Sequence, residues 1–168
     1  CVQRCPKKCI NLIEDSEGFL YPKVDIENCI DCGLCEQVCF FHNRNDHVIP
    51  LMVLAVKNRN MEERLNSSSG GVFVALSKYI IKEKGVVFGA VFDDNWEVKH
   101  THTDKFSGVY AMMRSKYLQS RIENSYVDAE HFLKEGRKVL FSGTPCQIAG
   151  LHSFLRKDYP NLLTVDFL

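Results

Sequence analysis

Apolar and polar positions follow two different periods along this chain of 168 residues. Near the start, residues 11–14 and 19–24 alternate with a period of two. The polar residues between them end in Gly18, which favours a positive φ, so this pattern predicts a β-hairpin. Residues 51–56 form a continuous apolar run, which predicts a buried strand.

A helical period begins at residue 72. Apolar residues recur at i, i+3, i+4, i+7 and i+8 in the set Val72, Ala75, Leu76, Tyr79 and Ile80. This spacing predicts that these five residues form the buried face of one helix, which ends near Gly85.

The rest of the pattern predicts alternating strands and helices. The elements are a hairpin over residues 86–103, a helix over 126–135, a strand over 138–141, a helix from Pro145 and a strand over 162–168. His100 and His102 share one face of the hairpin, where we expect half-exposed side chains. This order predicts an α/β body whose ligand binds at strand-to-helix loops, beyond the carboxyl ends of the strands.

The cysteines divide the chain into two predicted domains. Seven of the eight lie within the first 39 residues, and only Cys146 follows. We therefore expect a small metal-bound module over residues 1–45 and a globular α/β domain over residues 46–168.

Charge excludes some classes of partner. Lys+Arg and Asp+Glu both number 21, which gives a formal net charge of zero. Without a long run of one charge, nucleic acid and anionic membranes are poor candidates for partners. No apolar stretch approaches the ~20 residues of a membrane span, and nothing marks secretion, so we expect a cytoplasmic protein.

The spacing of four cysteines carries the clearest chemistry. Cys29, Cys32, Cys35 and Cys39 follow the pattern C-x2-C-x2-C-x3-C, which is typical of bacterial [4Fe–4S] ferredoxins. The first three thiolates can bind three irons of one cube, and Gly33 lets the backbone pass close to it. The fourth cysteine of such a run binds a second cluster.

A distant cysteine must then complete the first cluster. Cys5 is the candidate because Pro6 follows it, as proline follows the fourth ligand of such runs. Cys1 and Cys39 would belong to a second cluster whose other two ligands would precede residue 1. We therefore expect a ferredoxin-like two-cluster module with a truncated first motif. Cys9 fits no ligand position and is expected to be a packed thiol.

Two other uses of these cysteines are weaker. Zinc prefers two separated pairs of cysteines around a tetrahedral site. Disulfides require an oxidising compartment. The strict spacing favours the iron–sulfur cluster over both.

Two later stretches could contact a ligand. Residues 67–71 join a serine run to two glycines at a helix start, which suits a phosphate or flavin edge, but also serine N-capping with a flexible link. The spacing alone favours the capping interpretation. Thr144 and Pro145 predict the start of another helix, with Cys146 in its first turn. Cys146 could be a reactive thiol, a cofactor contact or inert packing, and its spacing alone favours packing.

Three stretches together resemble a known family. They are Ser67-Ser68-Ser69-Gly70-Gly71-Val72-Phe73, Ser115-Lys116-Tyr117-Leu118-Gln119-Ser120 and Gly143-Thr144-Pro145-Cys146-Gln147-Ile148-Ala149-Gly150-Leu151. With a ferredoxin module ahead of them, they look like the coenzyme F-420 hydrogenase/dehydrogenase beta-subunit family. The resemblance covers essentially the whole chain. Phe40 departs from the pattern, since it stands where proline would follow the fourth cysteine.

This resemblance implies an iron–sulfur flavoprotein that binds FAD. Its substrate differs between members and includes a deazaflavin coenzyme and a chlorophyll derivative. The implied flavin contacts are Ser67, Ser68, Ser69, Gly70, Gly71, Lys116, Tyr117, Gly143, Thr144, Pro145, Cys146 and Gln147. Lys116 and Cys146 are the catalytic candidates. The α/β domain would then be a partial flavin-binding domain, because the C-terminal part of the family domain is absent.

The implied activity is that of an oxidoreductase. Electrons would pass from a redox partner protein or small carrier through the clusters and FAD to a substrate. The alternative is a non-catalytic electron-transfer subunit of a larger complex. A thiol enzyme centred on Cys146 ranks below both, because no base is identified beside that cysteine.

Overall fold

The computed structural model describes residues 2–39, 41–42 and 50–167, and within them the chain has mixed α/β content. The helices are α1 (Leu34–Gln37), α2 (Met61–Leu65), α3 (Val72–Lys82), α4 (Phe106–Met112), α5 (Ser125–Lys134) and α6 (Pro145–Leu155), with a 3-10 helix at Val2–Arg4. The strands are β1 (Ile10–Glu14), β2 (Leu20–Val24), β3 (Val86–Phe92), β4 (Val98–Thr103), β5 (Val139–Gly143) and β6 (Leu162–Asp166). None of the helices in these ranges is long and apolar enough to cross a membrane.

The chain divides into two compact units. The first comprises Cys1–Asp46 and Ala149–Asp158, and the second comprises His47–Ile148 and Tyr159–Leu168. The domain boundary expected between residues 45 and 46 lies outside the described residues.

The first unit contains the predicted N-terminal hairpin. Strands β1 and β2 pair antiparallel, with Ile10 opposite Val24. The Asp15 carboxylate accepts hydrogen bonds from the backbone N–H groups of Glu17 and Phe19, and Gly18 has the expected positive φ of 89°. The hairpin prediction is confirmed.

The second unit is built on a four-stranded sheet in the order β4-β3-β5-β6. Strands β3 and β4 form an antiparallel hairpin, whereas β3–β5 and β5–β6 pair in parallel. The elements predicted from residue 72 onward are therefore present in the predicted order, with α4 in addition between β4 and α5. One part of the core joins the helices to the sheet through Ile80, Val87, Val91, Met112 and Leu140.

The buried face of α3 differs from the predicted one. Val72, Ala75 and Tyr79 are exposed, and the buried residues are Val74, Ser77 and Ile80. Ser77 tolerates burial because its hydroxyl donates to the Phe73 carbonyl at 2.8 Å. Since α3 is apolar on most sides, periodicity alone did not fix its orientation.

The strand predicted over residues 51–56 is wrong. Those residues are exposed and have no regular secondary structure. Periodicity cannot distinguish a buried strand from an extended apolar segment. Two short helices, α2 and α4, were not predicted. Asn60 begins α2 by accepting a hydrogen bond from the Glu63 N–H at 3.1 Å.

Candidate functional site

Five thiols of the first unit line one cavity, here called the cysteine cavity. They are Cys5, Cys9, Cys29, Cys32 and Cys35, around a volume of about 80 Å³. The expected ligands Cys5, Cys29, Cys32 and Cys35 are thus brought together. Cys39 does not line this cavity, and Cys1 lies outside the described residues.

The backbone around the cysteine cavity leaves room near the thiols. Gly33 precedes α1 with a φ of 66°, and no atom lies within 4 Å of the position that a Cβ would occupy there. The backbone N–H of Asp31 donates to the Cys29 sulfur at 3.4 Å. Hydrogen bonds to cluster sulfurs are one of the levers that set a cluster's potential.

Cys5 and Cys9 differ although their sulfurs are 3.4 Å apart. Hydrogen bonds, first from the Cys9 backbone, lower the pKa of the Cys5 thiol. The hydrogen bond with Cys5, together with burial, raises the pKa of the Cys9 thiol to about 11. Cys5 is partly exposed, whereas Cys9 is buried, as expected of a packed thiol.

An iron–sulfur cube and a single metal ion make different demands on these cysteines. Among the described residues, no group of three or more His, Cys, Asp or Glu side chains could hold a single metal ion. Each thiolate of a cube binds a different iron, so cluster ligands need not converge on one point. Four expected cube ligands line one cavity.

The second unit contains a cavity of about 640 Å³ at the carboxyl ends of β5 and β6, here called the sheet-edge cavity. This volume lies in the range typical of small-molecule and cofactor sites. Three segments line it: the serine loop (residues 67–71), the lysine loop (residues 114–120) and the turn from the end of β5 into α6 (residues 142–147), here called the cysteine loop. The sheet contributes Ala90, His100 and Val165. A cavity at this edge is what the strand order predicted.

The serine loop is fixed by backbone contacts. Gly71, with a φ of 75°, is the N-cap of α3, and no side chain caps that helix. Ser67 instead donates to the Glu63 carbonyl at 2.7 Å, so N-capping of α3 by serine is not what the structure has. A Cβ on Gly70 would lie 2.7 Å from the Val56 carbonyl, which explains the glycine. All five residues of the loop line the cavity.

Lys116 is held by the end of α4. Its ammonium donates to the carbonyl oxygens of Ala111, Met113 and Arg114 at 2.9, 2.7 and 3.3 Å. These are groups that a helix C-terminus leaves without partners. Burial lowers the pKa of Lys116 to about 8. Lys116 lines the cavity, but its donors are occupied by the backbone.

Tyr117 also lines the sheet-edge cavity, with 94% of its surface exposed. Its ring is therefore accessible from the cavity.

Cys146 is exposed and lines the cavity, so the expectation of inert packing is wrong. Its sulfur lies 3.1 Å from the Thr144 hydroxyl in the first turn of α6. Thr144 and Gln147 line the cavity as well, whereas Gly143 and Pro145 do not. The Thr144 N–H donates to the Gln147 side-chain oxygen at 3.0 Å, which is half of a capping box.

His100 is a site residue that sequence reasoning misplaced. It is 4% exposed rather than half-exposed, and burial lowers its pKa. Its ring stacks on Phe141 at 5.4 Å between ring centroids. Nothing in the alternation of β4 distinguished His100 from His102, which is exposed. For Gln147, in contrast, the sequence did carry a signal, because Thr144-Pro145-Cys146-Gln147 is a capping-box pattern that turns the Gln147 side chain back toward Thr144.

The residues present fit a flavin in general terms. The sheet-edge cavity has apolar walls formed by Val72, Phe73, Met112 and Met113, and polar groups from the three loops. Such a mixture orients an aromatic cofactor with a polar edge.

Neither the protein-family models nor the curated proteins give a match to this chain.

Proposed function

We propose that this chain is an iron–sulfur flavoprotein oxidoreductase, with a ferredoxin-like module ahead of a flavin-binding α/β domain. The observation that carries the proposal is that the stretches named in the family resemblance come together. Residues from all three line the sheet-edge cavity, while four expected cluster ligands line the cysteine cavity. Convergence of separate stretches on one cavity is the arrangement that a ligand site requires.

Different residues of this chain would hold the cluster and the flavin. Cys5, Cys29, Cys32 and Cys35 would hold a [4Fe–4S] cluster, and the serine and cysteine loops would surround FAD. A bound flavin exchanges one or two electrons and so connects a one-electron cluster to a two-electron substrate. Tyr117 and Cys146 are exposed toward the cavity and would contact flavin or substrate. Lys116 would support the lysine loop rather than act as a proton donor.

Electron transfer to bound flavin tests the proposal. The chain, loaded with iron, sulfide and FAD without oxygen, is mixed with a reduced ferredoxin, and bleaching of the flavin absorbance is followed. We expect rapid reduction, which the Cys32→Ser variant slows strongly because it lacks a cluster ligand. Equal rates in both proteins would contradict the route through the cluster.

A second candidate is a non-catalytic electron-transfer subunit. Residues 51–56 favour it, because this apolar segment is exposed and could dock on a partner chain. The two candidates differ in flavin content. A full complement of iron without bound FAD would favour the subunit.

A further inference from the structure

Both ring nitrogens of the buried His100 have partners. Nε2 lies 2.9 Å from the Ser142 carbonyl oxygen, and Nδ1 lies 2.8 Å from the Ser120 hydroxyl oxygen. A carbonyl oxygen only accepts, so Nε2 carries the proton. Nδ1 of the neutral ring therefore accepts, and the Ser120 hydroxyl donates to it.

Gln147 extends this series to the start of α6. Its side-chain nitrogen donates to the Ser120 hydroxyl oxygen at 2.8 Å, and its side-chain oxygen accepts from the Thr144 N–H at 3.0 Å. A backbone N–H only donates, so the orientation of the amide is fixed as well. Every hydrogen bond between Thr144 and Ser142 thus has one direction, set by a backbone group at each end.

We propose that the chain Thr144–Gln147–Ser120–His100–Ser142 is a positioning device that holds the lysine and cysteine loops at one separation across the sheet-edge cavity. His100, Ser120 and Gln147 are positioning residues, because their polar side-chain atoms bond to one another and to backbone. The consequence for a ligand rests on the proposed function, since FAD is the ligand proposed for this cavity.

Neighbouring hydroxyl groups hold the backbone at two members of this series of hydrogen bonds. The Ser125 hydroxyl donates to the His100 carbonyl at 3.2 Å, and the Tyr126 hydroxyl donates to the Gln147 carbonyl at 2.8 Å. Gly143 leaves the space that Gln147 needs, since a Cβ there would lie 3.0 Å from the Gln147 side-chain oxygen. Buried polar groups that lose a partner in such a place are costly, so the members are expected to act as one unit.

The device itself is tested without flavin. Amide hydrogen exchange of Thr144 is measured by NMR in the wild-type protein and in the Ser120→Ala and Ser120→Thr variants. Ser120 lies in a different loop and reaches Thr144 through Gln147, whose side-chain nitrogen also donates to the Ser120 backbone carbonyl at 3.3 Å, an acceptor that both variants keep. We expect exchange at least about tenfold faster in Ser120→Ala, and near wild-type exchange in Ser120→Thr, which keeps the hydroxyl. The Asn58 amide, which donates to the Gly70 carbonyl, is the control and should not change.

A second NMR measurement, of the side-chain nitrogen shifts, reports the protonation state of the His100 ring. We expect the His100 Nδ1 nitrogen to be an unprotonated acceptor in the wild type, with a signal that shifts in Ser120→Ala. A protonated Nδ1, or Thr144 exchange that is unchanged in Ser120→Ala, would overturn the proposal.

FAD binding tests the consequence for the cavity. We expect Ser120→Ala to weaken binding by about tenfold, Ser120→Thr to restore it, and Ser120→Ala combined with Gln147→Ala to be no worse than either alone. If the double variant instead weakens FAD binding by the product of the two single factors, the residues act separately, which would contradict the proposal. If the wild type binds no FAD, the proposed function fails, while the exchange and nitrogen measurements still decide whether the device exists.

Discussion

The hydroxyl oxygen of Ser68 accepts a hydrogen bond from the backbone N–H of Ser115 at 2.8 Å. These residues lie 47 positions apart in the chain and belong to the serine and lysine loops. Beside them, the Arg114 side chain donates to the Asn66 carbonyl at 3.1 Å. Two walls of the sheet-edge cavity are therefore joined directly rather than only through the sheet.

Replacement of Ser68 by alanine should weaken this joint. The Ser115 N–H would lose its partner, and we expect the free energy of unfolding to fall by about 0.5 to 1.5 kcal/mol. Denaturant unfolding measures the change. Ser69→Ala is the matched control on the same loop, where we expect a change within about 0.5 kcal/mol. Equal losses in both variants would show that the Ser68–Ser115 bond is not the cause.

A buried carboxylate, that of Glu63, lies next to the serine loop. Glu63 is 9% exposed, pairs with the Lys78 ammonium and accepts from the Asn58 side-chain amide at 2.9 Å. The Glu63→Ala variant leaves Asn58 without this acceptor, so we expect a loss of about 1 to 2 kcal/mol in the free energy of unfolding.

The exposed ion pair between Lys138 and Glu83 is the control for the Glu63 substitution. Its Nζ and Oε2 atoms are 3.3 Å apart. There the Glu83→Ala variant should cost at most about 1 kcal/mol, because water screens the pair. If the two glutamate variants unfold alike, burial of Glu63 does not strengthen its contacts.

Lys116 should give stability a distinct dependence on pH. An unfolded lysine keeps its proton up to its usual pKa of 10.5, whereas burial lowers the pKa of Lys116 to about 8. Between these values the unfolded state binds more protons, so the free energy of unfolding should rise with pH in this window. The Lys116→Met variant should lack the rise. The sign would be opposite if the three carbonyl acceptors outweighed burial and raised the pKa of Lys116 instead.

Cys5 and Cys9 offer a matched pair of substitutions. We expect Cys5→Ser to lose most of the iron of the cluster, because it removes the thiol proposed to complete the ligand set with Cys29, Cys32 and Cys35. Cys9→Ser should keep the iron, since Cys9 is expected only to pack beside Cys5. Iron per chain after anaerobic reconstitution measures both. Iron lost from Cys9→Ser and kept in Cys5→Ser would reverse the assignment.

The sequence pattern predicted the strands of the four-stranded sheet better than it predicted the segments outside the sheet. The hairpin at β3–β4 and the start of α6 at Pro145 were predicted because local turn and capping chemistry determines them. Residues 51–56 were not, because hydrophobicity does not state whether a partner strand exists.

The sequence likewise predicted some features of the candidate sites and not others. Proximity of Cys5 to Cys29 followed from ligand spacing. The burial of His100 could not follow, because it depends on Ser120 and Ser142, which the fold brings from other elements.

The metal and flavin content of the chain tests the account most directly. The chain is purified without oxygen and supplied with ferrous iron, sulfide and FAD, and iron, acid-labile sulfide, zinc and flavin are then measured per chain. The account predicts about four irons, four sulfides and one FAD, because one cluster has its four ligands on this chain. Zinc in place of iron, or a chain that retains neither iron nor flavin, would contradict it.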